Sequence, residues 1–196
     1  MGSLTRLVVT PLTEKCYLTI ITALHNKLGA NPHGPAGTGK TESIKDLAKI
    51  LGKYCIVYNC SESNDIKMLE KLFIGQVTTG SWICFDEFNR IDTEVLSVIA
   101  TILSNIRSAL LEVSQYLEFH GKTFTLNHNS GSFSTFNPDY LARSELPDNV
   151  KQFFRPIAMV IPDYQIITEN LLFTQGFLKA PEISKKMSVI YDICSQ

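Results

Sequence analysis

The residues best suited to chemistry lie within one short run, Gly34-Pro35-Ala36-Gly37-Thr38-Gly39-Lys40-Thr41. It satisfies G-x-x-x-x-G-K-[ST] at every fixed position. Glycines let the backbone curl tightly, so that successive N–H groups point inward at phosphate oxygens. A helix starting at the same place adds its unpaired N–H groups and the positive end of its dipole. Lys40 can then reach β- and γ-phosphates, and the Thr41 hydroxyl can ligate Mg²⁺. The competing reading is a glycine-rich turn that caps a helix.

A second group decides what happens to a phosphate held there. Trp82-Ile83-Cys84-Phe85-Asp86-Glu87 is an apolar run ending in two acids. A buried strand of this kind presents its acids at the carboxyl end of a sheet, where ligands bind in open α/β folds. Asp86 is placed to hold Mg²⁺ and its water shell. Glu87 is placed to polarise an attacking water as general base. The alternative is that both acids begin a solvated loop. Asn137 closes a strand predicted over Phe133–Phe136, and its neutral amide can hydrogen-bond the γ-phosphate or the water. Asn137-Pro138 is equally an ordinary turn signal. Arg155 ends a predicted helix. It can serve as a finger toward a neighbouring subunit's nucleotide, or satisfy the helix's last carbonyls. His33 adjoins the loop but receives no catalytic role, and His25, His120 and His128 lack metal-ligand spacing.

These groups require a scaffold of alternating strands and helices, hence an α/β fold with a mainly parallel sheet. Thr10 as cap and Pro11 in the first turn start a helix running to about Leu28 and stopping at Gly29. The segment Ala30–His33 must then be the first core strand, although Pro32 is unfavourable in a central strand. A helix over Gly39–Leu51 ends at Gly52, and Tyr54–Tyr58 reads as a strand. Ser63-Asn64-Asp65 offers caps for a helix over Ile66–Thr79, ended by Gly80. Trp82–Phe85 is a buried strand, and Asp92 can cap a long helix from Thr93 to about Val113. Tyr116–His120 and Thr123–Leu126 alternate around Gly121-Lys122 as a β-hairpin. Pro147 opens a short helix to about Phe154, and Ile157–Ile161 is the last strand. Helical stretches follow from Asp163 and from Pro181.

The chain has 196 residues, 44% of them hydrophobic and 19% charged, which fits one globular domain. A net charge of −1 gives no reason to expect nucleic acid or an anionic membrane as partner. The five cysteines contain no C-x-x-C pair. They read as buried free thiols of a reducing compartment. No apolar run approaches a membrane span in length, and no signal peptide is evident. Gly2 lacks the Ser or Thr at position 6 expected for myristoylation, because Arg6 stands there.

Taken in order, Gly34–Thr41, Phe85-Asp86-Glu87, Asn137 and Arg155 resemble the AAA+ ATPases. Longer stretches are similar to the dynein heavy chain family, and within it to the first AAA+ module. They are Arg6–Thr13, Gly34–Glu42, Tyr58–Glu62, Cys84–Ile91, Phe136-Asn137-Pro138, Arg143–Pro147 and Phe154-Arg155-Pro156. The resemblance implies a three-layer P-loop NTPase, an AAA+ large subdomain over residues 1–196. Its five-stranded mainly parallel sheet would carry an inserted β-hairpin, and residues from about 163 would lead toward a small helical lid. It implies that Val9, Thr10, Pro11 and Leu12 wrap the adenine of ATP or ADP. Gly34, Pro35, Ala36, Gly37, Thr38, Gly39, Lys40, Thr41 and Glu42 would surround the phosphates, with Thr41 and Asp86 at Mg²⁺. Glu87 would be the base, Asn137 the first sensor and Arg155 a finger acting on another module.

In that family ATP hydrolysis drives the linker swing and release from microtubules. The implied partners are neighbouring AAA+ modules. Intermediate chains, light chains and microtubules would be reached through the full-length protein. The implied location is cytoplasmic, at the cytoskeleton or in a cilium. The sensor strand Ser132–Phe136 is less aliphatic than the family's. Asp139 and Ala142 stand where glycines are usual, which bears on the geometry around Asn137. The chain stops before the lid that carries a second sensor arginine and lacks linker, stalk and microtubule-binding domain. It therefore reads as a fragment that binds nucleotide weakly and turns it over slowly. The rival functions are a non-hydrolysing nucleotide-binding module and a phosphotransferase. The Asp86-Glu87 pair favours water as acceptor over the latter.

Overall fold

An apolar strand without alternation must be covered on both faces, and Trp82–Phe85 is buried at every position. In the computed structural model, which describes residues 6–61, 65–119, 121–137 and 146–194, this segment belongs to β3 (Trp82–Asp86), inside a five-stranded sheet. The other strands of that sheet are β1 (Gly29–His33), β2 (Cys55–Asn59), β6 (Gly131–Ser134) and β7 (Phe154–Ala158). Their order is β2-β3-β6-β1-β7, and every pairing is parallel. Ser63, Asn64, His120, Pro138, Asp139, Ala142 and Arg143 lie outside the described residues.

Four long helices cover the two faces: α1 (Pro11–His25), α2 (Lys40–Ile50), α3 (Ile66–Thr79) and α4 (Thr93–Leu111). Ile83 and Phe85 pack into a core with Leu69, Phe73 and Val77 of α3 and Leu96, Ile99 and Leu103 of α4. Trp82 and Cys84 pack into a second core with Cys16, Tyr17 and Ile20 of α1 and Ile44 and Leu47 of α2. The period-two alternation of β3 thus separates two cores, giving three layers. α4 is the one described helix long and apolar enough to cross a membrane by length and composition, contrary to the expectation that no such run exists. Its apolar side is the α4 wall of the first core.

Local chemistry sets the boundaries. The Thr10 hydroxyl accepts from Thr13 N–H at 3.3 Å and the Thr13 hydroxyl from Thr10 N–H at 2.8 Å, a reciprocal cap that starts α1. α1 stops at His25, short of the expected Leu28, because Lys27 turns left-handed at φ 55°. Pro32 is accommodated inside β1 by an interruption of the ladder to β6. Regular pairing there is confined to Ala30 with Phe133 and resumes as a single bridge from His33 to Phe136. α3 has the predicted bounds, with the Asp65 carboxylate accepting from Lys67 N–H at 3.1 Å and Gly80 closing the helix left-handed. Asp92 occupies the cap position of α4 but makes no side-chain cap bond.

The later elements depart further from expectation. β4 (Tyr116–Phe119) and β5 (Lys122–Thr125) form the antiparallel hairpin, but Phe119 pairs with Lys122, so the turn falls one residue early. β6 begins at Gly131 and ends at Ser134, before the predicted Phe136. A Cβ on Gly131 would lie 3.2 Å from the Trp82 ring and 3.1 Å from Leu24, so glycine lets the strand start against the indole. α5 (Asp148–Lys151) is only four residues long. Phe154 and Arg155 therefore open β7 and do not end a helix. Pro156 is tolerated because β7 is an edge strand. Val160 and Ile161 lie beyond its end and are exposed.

α6 (Tyr164–Thr174) and α7 (Ala180–Cys194) pack mainly on each other. The Asp163 carboxylate caps α6, accepting from Gln165 N–H at 2.9 Å. No α6 residue is buried, and Cys194 on α7 is exposed. The reading of all cysteines as buried holds for Cys16, Cys60 and Cys84. It fails for Cys194, while Cys55 is partly covered.

Candidate functional site

β1 runs into the loop Gly34–Gly39, which turns directly into α2. A Cβ on Gly34 would lie 2.1 Å from the Met159 carbonyl oxygen, so only glycine fits there. Gly37 and Gly39 hold φ of 77° and 79°, a left-handed conformation open to glycine without strain. The Lys40 ammonium folds back over the loop, donating to the Gly34 and Pro35 carbonyls at 2.7 and 2.6 Å. The Thr38 hydroxyl donates to the Pro35 carbonyl at 3.0 Å, closing the turn. Gly39, at the cap position of α2, has no side chain to satisfy the helix's first N–H groups. Such a terminus favours an anion.

Above this loop lies a cavity of about 460 Å³. Ala36, Gly37, Gly39, Lys40, Thr41 and Glu42 line one side, and Asp86, Glu87, Thr135 and Asn137 the other. One oxygen joins the two sides. Asp86 Oδ1 accepts from the Thr41 hydroxyl and from the Thr135 hydroxyl, each at 2.6 Å. Thr135 Oγ1 in turn accepts the Glu87 N–H at 3.1 Å. Thr135 is fully buried and was not among the expected site residues. A hydroxyl just past the end of a buried strand, two positions before Asn137, was the available signal.

Glu87 itself is left-handed at φ 52°, a strained conformation for a residue with a Cβ. Its backbone is pinned by Thr135 and by the hydrogen bond from Phe88 N–H to the Thr135 carbonyl, 3.0 Å. Its carboxylate pairs with Arg90 at 2.5 Å on the next turn, Phe88–Arg90. Asn137 is buried, and its carbonyl accepts from Asn89 at 3.4 Å. The nearby Cys60 thiol is pushed up to about 12 by burial and by the charges of Asp86 and Glu87, so it stays protonated.

The remaining expected residues sit elsewhere. Val9, Thr10, Pro11 and Leu12 do not line this cavity; they form the start of α1 and the segment before it. Arg155 is exposed on the edge strand β7, in register with Ala30. That register places it roughly 13 Å along the strand direction from the loop, at about 3.3 Å per residue. It does not line the cavity either. Among the described residues no three His, Cys, Asp or Glu side chains gather as metal ligands. The Thr41 hydroxyl and Asp86 carboxylate are both hard oxygen donors. That set fits Mg²⁺, which takes one or two protein oxygens and completes its octahedron with water and phosphate.

Comparison with known proteins gives the same direction. The family model described as the hydrolytic ATP binding site of dynein motor region matches residues 1–196. The flagellar inner arm I1 dynein-1-beta heavy chain of Chlamydomonas reinhardtii is 48% identical over 195 residues, 100% of this chain and 4% of that protein. Human dynein axonemal heavy chain 6 is 48% identical over 196 residues, 100% of this chain and 5% of its own. Human dynein axonemal heavy chain 2 is 50% identical over 196 residues, again 100% of this chain and 4% of the relative. The chain thus spans only 4–5% of the length of these relatives. Matched along its whole length, it belongs to the family of hydrolytic ATP-binding sites of the dynein motor region.

Proposed function

We propose that this chain binds Mg-ATP and Mg-ADP and, as part of a dynein heavy chain, hydrolyses ATP to drive a microtubule motor. The observation that carries the reading is the single Asp86 oxygen shared by Thr41 and Thr135. It brings the first residues of α2 and the carboxyl ends of β3 and β6 to one point beside the phosphate loop. Lys40 would leave the loop carbonyls for the β- and γ-phosphates. Thr41 and Asp86 would hold Mg²⁺, which when bound neutralises phosphate charge. Glu87 would accept a proton from water, and Asn137 would orient that water or the γ-phosphate. Val9–Leu12 would flank the adenine.

Arg155, on an exposed edge, would act toward the nucleotide of a neighbouring module. The neighbours would be other AAA+ modules of the same heavy chain. Residues from about 163 onward would lead into a lid subdomain. The names of the relatives, flagellar and axonemal, support a place at the ciliary cytoskeleton. Calorimetry with Mg-ATP tests the site directly. Lys40→Ala removes the charge that meets the phosphates and is expected to abolish binding. Equal affinity in wild type and variant would overturn the reading.

A further inference from the structure

Asp46 is an acid on α2, about one and a half turns past Thr41, and its side chain is almost wholly buried. Buried carboxylates persist only when their lone pairs are satisfied. Three groups satisfy this one. Arg6 donates through Nε at 2.8 Å and through Nη2 at 3.4 Å. The Tyr17 hydroxyl donates at 2.9 Å, and the Leu7 backbone N–H at 3.3 Å. Burial works to raise the Asp46 pKa, but the bonds from Arg6, Tyr17 and Leu7 overcome it and hold the carboxyl below its ordinary value.

The connections have a direction. Arg6 and Leu7 precede Val9–Leu12, and Tyr17 lies on the helix that Thr10 caps. Asp46 lies on the helix whose first residues are Lys40 and Thr41. One carboxylate therefore fastens both ends of the segment around Val9–Leu12 to the helix that carries the phosphate-binding residues. Within it Val9 is exposed, Thr10 is buried and caps α1, and Leu12 packs against the second core. We propose that Asp46, with Arg6 and Tyr17, is a positioning group for base recognition, setting the Val9–Leu12 segment at a fixed distance from the phosphate loop. This rests on the nucleotide reading above and adds a determinant of selectivity for the adenosine portion over the bare polyphosphate.

Asp46, Arg6 and Tyr17 do not line the cavity above the phosphate loop, so the clamp should affect one part of the ligand only. The test compares Mg-ATP with Mg-tripolyphosphate by calorimetry in the 196-residue chain. The variants are Arg6→Met, which changes a half-exposed side chain, and Asp46→Asn, which keeps the buried volume. Both are expected to weaken ATP about tenfold, the scale of one charge-assisted hydrogen bond, and to leave tripolyphosphate within twofold. Arg6→Lys, which keeps a cation near Asp46, should recover part of the ATP affinity. Unchanged ATP affinity in Arg6→Met would overturn the clamp while leaving the nucleotide reading intact. Equal loss for ATP and tripolyphosphate would also overturn it, since that is the mark of general damage to α2. Wild type binding neither ligand would instead remove the nucleotide reading and the clamp with it. If Asp46→Asn fails to fold, Arg6→Met alone decides between these outcomes.

Discussion

The carboxyl end of the sheet and the α6–α7 hairpin are built on opposite plans. At the sheet end, buried and half-buried polar groups are bonded to one another: Thr41 and Thr135 donate to one Asp86 oxygen, and Asp46 on α2 accepts from Arg6, Leu7 and Tyr17. In the hairpin, apolar groups are exposed: Phe173 is 72% and Leu178 98% accessible. A buried polar network is tolerable only when its members are satisfied, and it then fixes geometry tightly. Exposed apolar helices fix little. The difference locates specificity in the first 160 or so residues, roughly the length of an average domain, and leaves the hairpin with a surface that the sheet does not use.

Three substitutions press on that contrast. The largest effect should come from Glu87→Gln in a full heavy chain that carries this module. The amide keeps the shape but cannot accept a proton, so turnover should fall roughly 10²–10⁴-fold while ATP still binds. Turnover within a factor of a few of wild type would make Glu87 a structural acid. Next is Phe85→Ala. Phe85 is wholly buried, with ring centroids 5.3 Å from Phe73 and 5.5 Å from Phe88. Denaturant unfolding should show a loss of about 3–5 kcal/mol. A loss below about 1 kcal/mol would mean that the sheet core is not where the stability lies. The smallest effect is expected from Phe173→Ala, within about 0.5 kcal/mol in the same measurement. A loss as large as that of Phe85→Ala would show that the hairpin is part of the cooperative unit, and the contrast would collapse.

Much of this was legible in the chain because local signals were strong. Asp65 and Gly80 bracket α3, and the Thr10-Pro11 cap starts α1. The unalternating run Trp82–Phe85 required a doubly covered strand. The misreadings have physical causes. Lys27 adopts a left-handed turn that its side chain does not announce. Gly131 lies two residues before the predicted strand start at Phe133, yet its missing side chain lets β6 begin beside Trp82. Phe154 and Arg155 follow a proline-opened helix, and only the pairing with β1, more than a hundred residues away, makes them a strand. The acids and glycines of the site could be found because phosphate chemistry demands them at fixed spacing. Thr135 offered only its hydroxyl just past a buried strand and Asp46 offered nothing, because their roles arise from contacts 49 and 40 residues distant in sequence.

The placement of β1 between β6 and β7 has a consequence for synthesis. The strand that delivers the phosphate loop is made first, yet both its sheet neighbours come last. β2 and β3 can zip together early, with only α3 between them. β1 must wait for Ala158, roughly 125 residues after His33. At about 5–20 residues per second on the ribosome, that is an interval of roughly 6–25 seconds. During it the β1 backbone groups that pair with β7 are without their partners. An interior strand of the finished sheet is therefore among the last to be paired on both sides while the chain is being made.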